Sequence, residues 1–227
     1  MSVVVAVLTR SPSDPRLKAR IGPVVPDRDH RRDLVLAFLD DLLERLGQSA
    51  AQTVKIAVTP PIEGLRIARP WIPGDRLLLQ RGVTFGDRLR HVFEDLAAAG
   101  FQQIVLLGVD VPDLPPAEVD AAVRLVSADA RTVVTGPSGD GSFYLLGMTV
   151  TNRVVPDLFT DVRWGTPHML EDVEARARAL GLTVAHTGDW HDVDTPEDVQ
   201  ALADRLRLAP STAPHTAAML RTIGVLS

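Results

Sequence analysis

Apolar positions along this chain follow two rhythms that take turns. Val3 to Leu8 is an unbroken aliphatic run, mostly β-branched, the pattern of a strand covered on both faces. Leu34, Phe38, Leu39, Leu42, Leu43 and Leu46 then recur at helical spacing, with Asp40, Asp41, Glu44 and Arg45 between them, and predict an amphipathic helix lying on a sheet. The residues joining the two, 9–29, carry four prolines and several charges and read as a long loop. The alternation continues with strands predicted over 54–59, 77–80, 104–107, 131–135, 143–148 and 183–186. Helices are predicted over 87–99, 115–126, 167–180 and from Pro196 onward, with Gly100 and Gly181 where left-handed helix ends are expected.

Strands alternating with helices predict an α/β fold, a three-layer α/β/α sandwich around a mostly parallel sheet. Residues 1–207 read as one domain. Residues 208–227 shift to Pro, Ser, Thr and Ala and read as a C-terminal appendage with a short helix.

Composition narrows the classes. With 227 residues, 45% of them apolar, the chain can bury a sizeable core. A net charge of −5 argues against a nucleic-acid-coating surface. The absence of cysteine excludes disulfides, thiolate nucleophiles and zinc–sulfur sites, leaving oxygen and nitrogen ligands. The apolar N-terminus lacks a basic leader and a small-residue cleavage site, so a first strand explains it better than a signal peptide. No apolar run approaches the roughly 20 residues of a membrane helix. The expectation is a cytoplasmic protein with neither a nucleic-acid nor a membrane partner.

Candidate chemistry begins at Leu106–Leu114, "LLGVDVPDL", where a buried-looking strand runs into Asp110 with Pro112 expected to stop the pairing. In parallel α/β sheets, ligands bind beyond the carboxyl ends of the strands. A carboxylate there suits Mg²⁺ or Mn²⁺ beside substrate phosphates. The same position also suits a helix cap or a turn, and spacing alone does not choose. A second acidic stretch, Asp189 to Asp198, mixes two jobs: Asp194 or Thr195 before Pro196 fits a helix cap, whereas Asp192 is less easily explained that way. Either Asp192 or Asp194 would complete a metal site with Asp110 if their strand ends are neighbours. The loop after the first strand holds Arg10, Arg16, Lys18 and Arg20 against a single Asp14, a placement suited to a phosphate chain, although charge runs are commonly just solvated. In the turn Gly136–Tyr144, glycines such as Gly141 would let a ligand approach the backbone, or simply turn the chain. The histidines show no metal spacing, and no G-x-S-x-G elbow occurs.

Read in order, "LKARI", "GDRLRHVF", "LLGVDVPDL", "TGPSGDGSFYLLGM", "LFTDVRWGTPHML" and "DVDTPEDV" resemble a bacterial family of GT-A-like fold, domain of unknown function 2064, over about residues 3–206. Its members are usually described as glycosyltransferases. The chain is also similar to the phospholactate guanylyltransferases and molybdopterin nucleotidyltransferases. The resemblance implies a GT-A nucleotide-diphospho-sugar transferase fold and places the strand-end metal acid on Asp110. The basic K-T-R-L element falls on Lys18, Ala19, Arg20 and Ile21, and the D-L-G-x-R element keeps Gly86 and Arg88 but has Thr84 for its acid. The sequence departs from the family also at Pro15, Ser142 and Gly165, so the scaffold matches better than the pocket.

The expectation is a metal-dependent transferase with a nucleotide-activated donor and a small-molecule acceptor. Asp110, with Asp192 or Asp194, would hold Mg²⁺ or Mn²⁺; Lys18 and Arg20 would bind the outer phosphates, with Arg10, Arg88 and Gly141 also donor-binding. Asp110 and Asp140 are the catalytic candidates, Asp140 orienting the acceptor hydroxyl or serving as its base. The family description places glycosyl transfer from a nucleotide sugar first. The K-x-R element favours nucleotidyl transfer from a nucleoside triphosphate, with pyrophosphate leaving. The altered positions motivate a third reading, a silent nucleotide-binding module.

Overall fold

A computed structural model describes residues 2–226; residues 1 and 227, the outer ends of the predicted domain and appendage, lie outside the description. The central strand, β1 (Val3–Thr9), is buried along almost its whole length, as its aliphatic run predicts. It pairs in parallel with β2 (Thr53–Val58) and β4 (Gln103–Gly108), and β2 pairs in parallel with β3 (Leu77–Leu79). β5 (Thr132–Pro137) and β6 (Phe143–Thr149) are joined by five residues, too few for a crossover, so β6 runs antiparallel to β5 and to β4. β7 (Thr183–His186) pairs in parallel with β5. Among the described residues the seven strands form one sheet in the order β3-β2-β1-β4-β6-β5-β7.

Period-2 alternation divides the core. Val3, Val5 and Val7 face α1 (Arg28–Leu46), α4 (Pro116–Ala128), α6 (Pro196–Leu208) and α7 (Pro214–Thr222). Val4 and Ala6 face the opposite layer, α3 (Phe85–Ala98) and α5 (Met169–Ala179). The result is the expected three-layer sandwich. The tail's short helix is α7. Its Ala217 and Leu220 are fully buried in the main core, and buried Asp41 of α1 accepts the first-turn N–H groups of His215 and Thr216.

Three details differ from the sequence expectations. β4 ends at Gly108, four residues before Pro112, because its pairing with β1 and β6 ends there; Asp110 therefore lies in the turn beyond the strand. A short α2 (Glu63–Ala68) follows the prolines at 60 and 61. The proline-rich segment after β1 is not wholly irregular: it forms a 3-10 turn at Ala19–Ile21, and Leu17, Ile21 and Val25, four residues apart, are buried and pin it to the core. No helix among the described residues is long and apolar enough to cross a membrane.

β1, β2, β3, β4, β5 and β7 all point the same way, so the segments that leave them share one edge of the sheet. Every candidate site residue lies on one of those segments.

Candidate active site at the carboxyl edge of the sheet

The two acidic stretches meet through the backbone. Val193 N–H donates to the carbonyl of Asp110 (2.9 Å), and Trp190 N–H to the carbonyl of Pro137 at the end of β5 (3.1 Å). This stitching brings the residues after β4, β5 and β7 together. Helix capping falls to neighbours: Thr195 and Asp198 form a reciprocal capping box, with Asp198 also accepting from the Asp194 N–H (3.0 Å). The side chains of Asp192 and Asp194 are therefore free of capping and turn to the cluster.

At its centre is Lys18, whose side chain is only 8% exposed. Its ammonium donates to the Val193 carbonyl (2.6 Å) and to Asp194 Oδ1, and lies 2.8 Å from Asp110 Oδ2. Asp110 Oδ1 is buried and has no hydrogen-bond partner among the described residues. Arg20 stands 3.5 Å from Asp194 Oδ2 at the solvent side. Asp192 is held by the hydroxyl of Ser138 (2.6 Å), a buried residue at the start of the β5–β6 turn. Its role could not be singled out from the sequence, because the partner arrives 54 residues later in the chain.

The electrostatics follow from crowding. Burial pushes the Asp110 carboxyl above the usual carboxylate range, the Asp194 and Asp192 charges push it further, and Lys18 opposes them. Burial likewise raises Asp192, despite the Ser138 bond. Burial also acts to raise Asp194, but Lys18 and Arg20 outweigh it and hold that carboxyl below its ordinary value. Burial works against the Lys18 charge, yet Asp110 and Asp194 hold the ammonium more firmly protonated than in water.

The other candidates surround this centre. Arg10 pairs with Asp14 (3.0 Å) and is exposed. Arg88, in the first turn of α3, lies 5.6 Å over the Phe85 ring and donates to the Val83 carbonyl (3.3 Å); its Nε is buried without a partner. Burial, then the neighbouring Arg10 charge, lowers the Arg88 pKa, and the Asp87 charge opposes them. Asp140 is exposed and accepts from the Ser142 N–H (2.9 Å) within its own turn. Gly141 has φ +82°, and a side chain there would meet the Pro167 carbonyl oxygen at 2.1 Å. Its glycine thus serves the packing of the 164–170 segment against the turn.

The donor set fits a hard divalent ion: carboxylate oxygens, one of them buried and unpartnered. Asp110 and Asp194 converge on one point, which the Lys18 ammonium occupies, whereas Asp192 does not join them there and is held by Ser138. Among the described residues, the triad whose ligand atoms lie within 4.8 Å of one another is Asp41, Glu44 and His215, between α1 and α7. There Asp41 is consumed by the α7 backbone and Glu44 by His215 (2.9 Å), so the group is a satisfied cap. Concavities of about 350 and 400 Å³ lie on that α1–α7 face, both touching His215. They are open hollows, and neither contains the charged residues gathered at the carboxyl edge.

Comparison with known proteins adds kinship. Residues 42–166 match the family described as "Uncharacterized protein conserved in bacteria (DUF2064)". The chain is 28% identical over 210 residues to a phosphoenolpyruvate guanylyltransferase of Sphaerobacter thermophilus, covering 92% of this chain and 95% of that one. It is 31% identical over 205 residues to a phosphoenolpyruvate guanylyltransferase of Mycolicibacterium vanbaalenii, covering 86% and 87%. A Desulfovibrio desulfuricans G20 crystal structure, provisionally described as a nucleotide-diphospho-sugar transferase, superposes with a TM-score of 0.85 at 27% identity over 98% of this chain and 95% of that one.

Proposed function

We propose that this chain, which belongs to the DUF2064 family, transfers a nucleotidyl group from a nucleoside triphosphate to a small phosphorylated acid. A phosphate oxygen of the acceptor attacks the α-phosphorus, the bond to the β-phosphate bridging oxygen breaks, and pyrophosphate leaves with the electron pair. The chain is nucleotidyltransferase-like, and an enzyme of the transferase class. The observation that carries the finer reading is the concentration of cationic groups facing the acid cluster. Arg10, Lys18 and Arg20 leave β1 together, and Arg88, on α3, is near enough to feel the Arg10 charge. A triphosphate tail calls for more positive charge than a diphosphate. The relatives named for guanylyl transfer to phosphoenolpyruvate support the same class.

Asp110, Asp192 and Asp194 would hold Mg²⁺ or Mn²⁺, which when bound neutralises phosphate charge and makes phosphorus more electrophilic. Ser138 fixes the Asp192 rotamer. Arg88, braced by Phe85 and the Val83 carbonyl, and the exposed Arg10 and Arg20 bind the outgoing phosphates. A phosphate acceptor arrives largely deprotonated at neutral pH, so no base is required and Asp140 serves to orient.

Glycosyl transfer is the second reading, favoured by the Desulfovibrio neighbour. There a hydroxyl must lose its proton, and Asp140 becomes the base. The two readings part experimentally. Incubation with GTP, CTP, UTP or ATP plus phosphoenolpyruvate and MgCl₂ is expected to release pyrophosphate; release of nucleoside diphosphate from UDP-glucose or GDP-mannose instead would overturn nucleotidyl transfer. Nucleotide binding with neither product would mark a silent module. Asp140→Asn is expected to lower kcat by less than about tenfold, whereas loss of a needed base would cost roughly 10²–10⁴.

A further inference from the structure

We infer that Lys18 is a tethered cation: without ligands its ammonium fills the seat of the divalent ion, and the ion's arrival turns it out toward the substrate phosphates. The inference rests on the proposed metal role of Asp110, Asp192 and Asp194.

The coordination of the ammonium is the first ground. An ammonium has three N–H donors and no acceptor, and the acceptors around Lys18 number three: Asp110 Oδ2, Asp194 Oδ1 and the Val193 carbonyl. All are oxygens converging on one point, as around a small hard ion. The choice of residue is the second ground. Of 24 basic residues only Lys18 and Lys55 are lysines. A guanidinium is a flat fork and cannot aim its donors at three oxygens around a point, whereas an ammonium is a compact charge on a flexible stem. The backbone is the third ground. Lys18 has φ 47° and ψ 38°, a left-handed conformation that a non-glycine residue adopts at a cost, between the buried anchors Leu17 and Ile21. The loop is held so that this one side chain points inward.

The fit is also incomplete in an informative way. One ammonium faces two carboxylates, those of Asp110 and Asp194, and Asp110 Oδ1 stays buried and unpartnered. A dication brings twice the charge and more ligand positions, so it competes for the same oxygens. Once displaced, the amine lies beside Arg20 and Arg10 on the loop that faces the phosphates.

The test uses the unsubstituted protein, stripped with EDTA, with MnCl₂ as the probe. Reductive methylation read by mass spectrometry follows the two lysines separately, and Lys55, whose amine makes an exposed contact with the Asp75 carbonyl (2.6 Å), is the internal reference. Lys18 is expected to react slowly without metal and about tenfold faster with Mn²⁺, Lys55 staying constant. By calorimetry without nucleotide, Lys18→Met is expected to bind Mn²⁺ about tenfold more tightly than the unsubstituted protein. Mn²⁺ binding that leaves Lys18 protected would overturn the shared seat and leave the metal reading standing. Failure of both proteins to bind Mn²⁺ would overturn the metal reading and this inference with it.

Discussion

Two acidic clusters in this molecule use similar side chains and end in opposite states. Between α1 and α7, Asp41 gives both oxygens to the backbone N–H groups of His215 and Thr216, and Glu44 gives one to the His215 ring. At the carboxyl edge, Asp110 gives one oxygen to an ammonium and leaves the other buried and alone. Acidic composition and proximity do not separate the two, and the Asp41 group is the one with metal-like spacing. Satisfaction separates them. A carboxylate whose lone pairs are taken by fixed backbone groups holds structure, whereas one that faces a displaceable cation and keeps an unpartnered oxygen is poised for a ligand.

Substitutions at the two clusters should therefore give opposite phenotypes. The largest effect is expected at Asp110→Asn, which keeps the shape and removes the charge: kcat should fall by about 10²–10³, with the melting temperature close to that of the unsubstituted protein. A variant that melts early yet turns over normally would assign Asp110 to structure and erase the contrast. Asp41→Ala should do the reverse. It strands two helix N-terminal N–H groups at a site only 1% exposed, so a loss of about 2–3 kcal/mol in urea unfolding is expected with kcat unchanged.

The smallest effect is a pH dependence confined to the structural cluster. The Glu44 hydrogen bond, reinforced by Asp41, raises the His215 pKa above its ordinary value although partial burial opposes this. A raised folded-state pKa contributes stability fully present below the unfolded value, near 6.5, and lost as pH rises through the folded one. The His215 side chain is 45% exposed, so solvent screens the pair. Melting temperature should therefore drop only slightly, on the order of 1 °C, between about pH 6 and 8, and His215→Ala should abolish that slope. An unchanged slope in the variant would place the titrating group elsewhere.

Much of the fold is written locally. β1, β4 and β6 are dense apolar runs, β1 mostly β-branched, of the length and near-continuity expected of strands covered on both faces, so their positions follow from the chain alone. α2 escapes because six residues with a glycine inside them, following two prolines, carry no helical periodicity. The 3-10 turn at Ala19–Ile21 escapes because prolines and charges mask three apolar anchors whose partners belong to α1 and the sheet.

The site divides in the same way. That Asp110 lies beyond a strand, at the edge where α/β proteins bind ligands, follows from pattern and topology alone. Whether Asp192 and Asp194 cap a helix or face that edge does not, because both duties ask for the same residues at the same spacing; the capping box of Thr195 and Asp198 settles the capping in space. Local sequence determines which segments become strands and helices and which charges leave them, since hydrophobic period and capping act over a few residues. The meeting of Lys18 with acids 92 and 176 positions away is decided only by tertiary structure, because strand order, and nothing nearer, sets which loops share an edge.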